Sequence, residues 1–252
     1  MDERGPVLRQ VNAVAPIRIC DNGGWTDTWF AGHGKVFNIA VYPYVEVQMR
    51  VFERQGQAER FMIHAENYGE RYTLADPLGA YDKHPLLEAA LDYMHIPEDL
   101  CLELVIHSDA PGGCSTGTSA AVSVALIGAL DCLTPGRLTP HEVAAAAHRI
   151  ETQLLHQECG IQDQLASAYG GLCFIDMIHF PHASVSRIEV PDALRWELES
   201  RLLLIYTGTA HSSSDVHRRV IRDLEDAGPE CEKLVPLRDA AVRSRDALYA
   251  GD

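Results

Sequence analysis

The sequence has no CxxC pair. Its seven cysteines, Cys20, Cys101, Cys114, Cys132, Cys159, Cys173 and Cys231, are odd in number and widely spaced. That pattern argues against a disulfide framework and against a structural zinc site. Positive charge is scarce: 21 Lys and Arg stand against 36 Asp and Glu, a formal net charge of −15. A protein that grips a phosphate backbone needs a basic face, so no nucleic-acid partner is expected. No apolar run approaches the roughly 18 residues that span a bilayer. The opening MDERGPVLRQ is charged where a signal peptide would be apolar. The expectation is a cytoplasmic protein without a membrane partner. Three catalytic signatures are missing too. No Lys follows the last Gly of the Gly-rich stretch as in a Walker loop, Ala145 interrupts an HExxH continuation of His141-Glu142, and no GxSxG elbow occurs.

What is present is enough apolar residue for a packed core: 46% of 252 residues, sufficient for one large or two smaller domains. The chain is organised around Pro111–Ala121, PGGCSTGTSAA. An alternating run, Leu102–Ile106, precedes it as a strand, and Val122–Leu133 follows as a buried helix. Gly112, Gly113 and Gly117 let the backbone turn there and let a ligand reach the amides. A helix N-terminus leaves its first N–H groups unpaired and carries about half a positive charge, so strand, small-residue loop and helix form an anion site. The same residues also fit a plain Gly-rich turn capped by Thr118 or Ser119. Cys114 is a thiol open to alkylation in that loop.

In chain order, Val11–Cys20 reads as a strand broken at Pro16, followed by the turn-rich Asp21–Thr28, DNGGWTDT. Arg18, Thr26 and Asp27 form a polar group after an apolar strand; a structural Arg18–Asp27 ion pair is one outcome. Val36–Ala40 and Tyr44–Phe52 read as two strands, with Arg60–Ala65 a candidate partner for the second, in an antiparallel region. A short helix starts at Pro85 and runs to about Met94. Thr139-Pro140-His141-Glu142 opens another with a capping box, running to about His156. Glu151 near its end opposes the helix dipole. Residues 161–169 form a short helix closed by Gly170-Gly171, with Asp163 either capping it or partly buried against a partner. Leu172–Met177, Ser184–Val190 and Leu202–Tyr206 read as strands, Thr207–Asp215 as a polar loop, and Glu230–Tyr249 as a final helix with Leu234, Leu237, Ala241 and Leu248 facing the core.

Three ordered segments resemble the GHMP small-molecule kinases: Ala15-Pro16-Ile17-Arg18 with Gly23-Gly24-Trp25-Thr26-Asp27, then Pro111–Ala121, then Gly160-Ile161-Gln162-Asp163-Gln164. GGWTDT is similar to the L-fucokinase branch and GIQDQ to the heptose-phosphate kinases. The resemblance implies an α+β, two-domain fold: an N-terminal ribosomal-protein-S5-like ATP-binding domain over residues 1–180 and a partial ferredoxin-like domain over 181–252. It implies an ATP- and Mg²⁺-dependent kinase acting on a hydroxyl of a monosaccharide or sugar phosphate. The implied phosphate loop is Pro111, Gly112, Gly113, Cys114, Ser115, Thr116, Gly117, Thr118 and Ser119. Ser119 and Glu151 would hold the metal, Asp163 and Arg18 would be catalytic, and Gly24, Thr26 and Asp27 would meet the acceptor. Two departures stand out. Ser115 and Thr116 replace the usual Gly and Leu of the loop, and the family's third, C-terminal Gly-rich motif has no counterpart. A non-catalytic sugar- or nucleotide-binding homologue is the alternative that the second departure raises. An acyl hydrolase using Ser119 or Cys114 lacks its elbow and a placed His.

Overall fold

The computed structural model describes residues 5–251 apart from 57, 76, 77, 79, 207, 209–212, 226 and 227. The fold is mixed α/β, as expected. Its frame is a seven-stranded sheet: β1 (Arg9–Asn22), β2 (Gly34–Glu53), β3 (Glu59–Ala65), β4 (Glu70–Ala75), β5 (Leu100–Ser108), β6 (Leu172–His179) and β7 (His182–Arg187). The order is β4-β3-β5-β2-β6-β7, with β1 on the other edge of β2.

Strand β2 is 20 residues long where two shorter strands were expected. Pro43 does not break it because it falls in a gap of the ladder. β1 shifts register between Pro16 and Ile17, so its partners jump from Tyr44 to Val41. On the opposite edge, β5 pairs with Val45–Glu53 and β6 with Gly34–Ile39. A residue with no N–H to donate costs nothing where no partner waits. The same irregularity turns the expected break at Pro16 into a bulge inside a continuous strand. Arg60–Ala65 is a strand, but it lies parallel to β5 and antiparallel to β4, not beside β2.

Seven α-helices occur among the described residues: α1 (Pro85–Tyr93), α2 (Thr118–Asp131), α3 (Pro140–Arg149), α4 (Gln162–Tyr169), α5 (Asp192–Arg201), α6 (Ser213–Leu224) and α7 (Val235–Ala250). The apolar α2 is enclosed nearly all round; Leu126, Ile127 and Leu130 pack with Val47, Met49, Leu102 and Leu104 of the sheet. Each such side chain contributes roughly 1.5–3 kcal/mol by leaving water. The capping box of α3 forms as expected: Thr139 accepts from the Glu142 amide while Glu142 accepts from the Thr139 amide. This helix does not run to His156. It ends at Arg149 and passes into a π-turn, Ile150–Leu154.

Helix α5 had no sequence signal strong enough to mark it. The expected strand at Leu202–Tyr206 does not form; these five residues have no ladder partner and are exposed. Among the described residues no strand lies beside them, and β-propensity without a neighbour does not make a strand. Most of the expected polar loop after them lies outside the described residues. α6 docks on the loop between β1 and β2, where Ile221, Leu224 and the α7 cap residue Leu234 pack with Phe30 and Ala31; α7 docks on β2 and β6, where Ala241 and Leu248 pack with Phe37 and Phe174. The expected domain boundary at residue 180 falls at the turn of the β6–β7 hairpin.

Candidate active site

The three sequence segments meet at the middle of β2. In register, Arg18 of β1 lies opposite Ala40, β5 ends at Ser108 opposite Val45, and β6 begins at Leu172 opposite Ile39. β1 ends at Asn22, opposite Phe37, so the loop after β1, the loop after β5 and helix α4 before β6 all leave the sheet along one stretch of β2, Phe37–Val45. Between them is a cleft of about 1120 Å³. One end is lined by Tyr68, His84, Leu87 and Val122; the other by Asp21, Trp25, Asp27, Gln162 and Asp163; Gly112–Ser119 form the wall between.

The loop wall ends in an open helix terminus. Gly117 is the N-cap residue of α2, with φ +73 and no side chain capping the helix. A left-handed φ favours glycine. Neither Thr118 nor Ser119 caps α2. The Thr118 hydroxyl instead lies 3.3 Å from that of Thr116, which is 2.9 Å from the Cys114 sulfur. The first amides of α2 are thus free of side-chain caps, the arrangement that binds anions. Ser115, standing where the kinases usually have Gly, also takes a left-handed φ of +58, which costs an L-residue about 1–2 kcal/mol. Pro111 is exposed and is not part of the cleft wall.

Arg18 ties the loop to α4. Its Nε and Nη2 meet Asp163 Oδ1, both at 2.8 Å; its Nη1 donates to Asp21 Oδ2 at 2.5 Å and to the Ser115 carbonyl at 2.9 Å. Its own amide donates to the Thr116 carbonyl. Burial works to lower the Arg18 pKa, but Asp163 and Asp21 outweigh it and the guanidinium is held above its ordinary value. A methyl placed on Gly117 would touch Arg18 Cγ and Asp163 Cγ, each at 3.4 Å. The anion-binding terminus and the Arg–Asp pair are therefore in van der Waals reach of each other.

Asp27 pairs with neither Arg18 nor solvent. It is 2% exposed. Its Oδ2 accepts from the Gln162 amide at 3.0 Å and Oδ1 from Gln162 Nε2 at 3.4 Å. Burial raises its pKa and the Gln162 amide opposes that rise. Gly160 backs against this carboxylate so closely that a Cβ there would lie 2.1 Å from Oδ2. Thr26 stands behind the wall, not on it: its hydroxyl donates to the Gly23 carbonyl at 2.7 Å and accepts from the Lys35 amide at 3.1 Å. Its expected contact with an acceptor is replaced by a structural role in the loop. Gly24 does line the cleft.

Glu151 is on the cleft wall, buried, and inside the π-turn, not at the end of an α-helix. The wider turn faces it inward. Its Oε1 accepts from Gln164 Nε2 at 2.9 Å, and no Lys or Arg pairs with it among the described residues. Burial pushes its carboxyl up to about 7, with the Gln164 bond opposing and Asp163 adding to the rise. A buried carboxylate without a cation fits a divalent ion. Magnesium held between nucleotide phosphates and water needs one or two protein ligands, and no group of three His, Cys, Asp or Glu side chains is gathered among the described residues.

Two roles are not legible in the sequence. Asp21 reads as part of a turn; Cys20, at φ +58, turns the chain so that Asp21 meets Arg18. Gln164 belongs to the GIQDQ segment, but its bond to Glu151 joins two elements that no sequence spacing links. Residues 85–171 match the model of the GHMP kinases N terminal domain. The chain carries a GHMP kinase N-terminal domain. The chain is 27% identical to D-glycero-alpha-D-manno-heptose 7-phosphate kinase of Campylobacter jejuni over 253 residues, 97% of this chain and 73% of that one. It is 25% identical over 259 residues to the bifunctional fucokinase/GDP-fucose pyrophosphorylase of Arabidopsis thaliana, covering 95% of this chain and 24% of that protein. The crystal structure of a D-glycero-D-manno-heptose 1-phosphate kinase from Bacteroides thetaiotaomicron superposes with a TM-score of 0.73 over 96% of this chain and 74% of that one. At 20% identity that likeness is one of fold.

Proposed function

We propose that the cleft transfers the γ-phosphoryl group of ATP to a hydroxyl of a monosaccharide or sugar phosphate. The observation that carries this is the closeness of the uncapped α2 terminus to the Arg18–Asp163 pair, within 3.4 Å of the same Gly117 position. Phosphoryl transfer is mostly positioning and charge neutralisation, and both are provided here. The amides of Gly113–Ser119 receive the phosphates. Tyr68, His84, Leu87 and Val122 offer an apolar end for the base. Asp163 accepts or aligns the proton of the acceptor hydroxyl, and Arg18 faces the charge that develops on the transferring group. Glu151 and Ser119 would hold Mg²⁺, which would supply neutralisation of the phosphate charge. Gly24 and the Asp27–Gln162 pair form the acceptor wall.

The sugar-kinase relatives support the acceptor class. The reading places residues 1–180 as the ATP-binding domain and 181–252 as part of a second. It also places the protein in the cytoplasm, without nucleic acid or membrane; among the described residues no helix is long and apolar enough to cross a membrane. The test is coupled ADP release with Mg-ATP against L-fucose, D-galactose and the heptose phosphates. Asp163→Asn is expected to lower turnover about 10²–10⁴-fold, the usual contribution of a positioned acid or base. Undiminished turnover in that variant refutes the assigned mechanism. Sugar binding without any ADP release points to the non-catalytic alternative.

A further inference from the structure

Glu151 is held by groups that carry no charge. Its backbone carbonyl accepts from the Gln157 amide at 2.9 Å, which fixes the turn. Its Oε1 accepts from Gln164 Nε2 at 2.9 Å, and the Cys159 thiol donates to the same carboxylate. Gln164 is itself 2% exposed, with Nε2 also 3.9 Å from the Cys159 sulfur. The other end of its amide, Oε1, is enclosed and has no donor among the described residues. A buried acceptor left in that state costs on the order of 1–3 kcal/mol. Gln164 thus keeps its donor on Glu151 against a penalty at its opposite end.

Its two predecessors in the first turn of α4 hold other walls of the cleft. Gln162 bonds Asp27 and Asp163 bonds Arg18. Successive helix residues project about 100° apart, so one turn reaches all three walls. Gln164 differs from Arg18 in one respect that matters for a cation. An amide and a thiol orient a carboxylate and leave its charge available, whereas a Lys or Arg would neutralise it and compete with the ion.

We infer that Gln164, aided by Cys159, is a positioning residue: it aims the Glu151 carboxylate at the divalent ion that accompanies the nucleotide. This rests on the kinase reading and adds to it a residue that acts only through Glu151. Hydrogen-bond partners of this kind behind a metal ligand typically change metal affinity 10–100-fold when removed.

The test is calorimetric binding of ADP with and without Mg²⁺, which needs no turnover. Mg²⁺ is expected to tighten ADP binding to the native chain. In Gln164→Met that tightening is expected to shrink at least tenfold, with metal-free ADP affinity unchanged, a split that a merely structural role would not give. Gln164→Lys places an ammonium on Glu151 and is expected to abolish the Mg²⁺ effect. Should neither variant fold, Cys159→Ala decides by the same ratio, with a shrinkage of about threefold expected because the thiol is the weaker donor. A Mg²⁺ effect present in the native chain and unchanged in the folded variants overturns the inference and leaves the kinase reading intact. A native chain whose ADP affinity ignores Mg²⁺ overturns the metal assignment of the kinase reading, and the inference with it.

Discussion

Gly160→Ala tests whether the acceptor wall is as tight as the geometry says. The added methyl would lie 2.1 Å from Asp27 Oδ2, 2.7 Å from its Cγ and 3.1 Å from Oδ1. Asp27 has nowhere to retreat: it is 2% exposed and held by the amide and side chain of Gln162. Overpacking of this kind costs about 1–3 kcal/mol. Moving the carboxylate off its donors adds about 1.5–3 kcal/mol for bonds to a charged group. The expected loss is about 4 kcal/mol, or roughly 10 °C in Tm for a chain of this size. Gly128→Ala is the matched control. A Cβ there meets nothing within 4 Å, in the middle of α2, and helix propensity favours it by up to about 1 kcal/mol. Thermal and urea denaturation of both variants are the assays. If Gly160→Ala melts within about 2 °C of the native chain, the close approach of Gly160 to Asp27 is wrong, and the acceptor wall with it.

Ser115→Gly is expected to raise stability by about 0.5–1 kcal/mol. It relieves the left-handed strain, less the extra freedom of glycine when unfolded, and keeps the carbonyl that Arg18 uses; a lower Tm contradicts this. The Asp21 carboxyl is pushed up to about 6 by burial, the Arg18 contact opposing and Asp163 and Asp27 adding to the rise. Its folded pKa lies above its unfolded value, so its stabilising contribution is full below about pH 4 and is lost as pH rises through 6. Asp21→Asn should therefore gain on the native chain by on the order of 2–3 kcal/mol between pH 4 and pH 7.5, two pKa units at about 1.4 kcal/mol each. Urea unfolding at both pH values reads the gap, and a gap of opposite sign refutes the burial argument.

What could be read from the chain was what is decided locally. The capping box at Thr139 and the turn into α2 depend on neighbours in sequence, and both were legible. The phosphate loop and Asp163 were placed by motif order, and the structure brings both to one cleft with Arg18. What depends on distant partners was not legible. Pro43 looks like a strand break until β1, β5 and β6 are seen to leave it without an obligation. Leu202–Tyr206 looks like a strand because leucine, isoleucine and tyrosine suit a sheet, but pairing requires a neighbour. Asp21 and Glu151 owe their roles to backbone irregularities, a left-handed Cys20 and a π-turn, that composition does not announce.

The threefold attachment to β2 has a mechanical consequence. Proteins open in cooperative units, and ligand sites on separate units can lose one half while keeping the other. Here one strand carries the roots of all three arms: Asn22, where the first loop leaves β1, lies opposite Phe37, Leu172 opposite Ile39 and Ser108 opposite Val45. Losing β2 therefore loses all three arms together. Nucleotide and acceptor, whatever order they arrive in, meet arms that share one support.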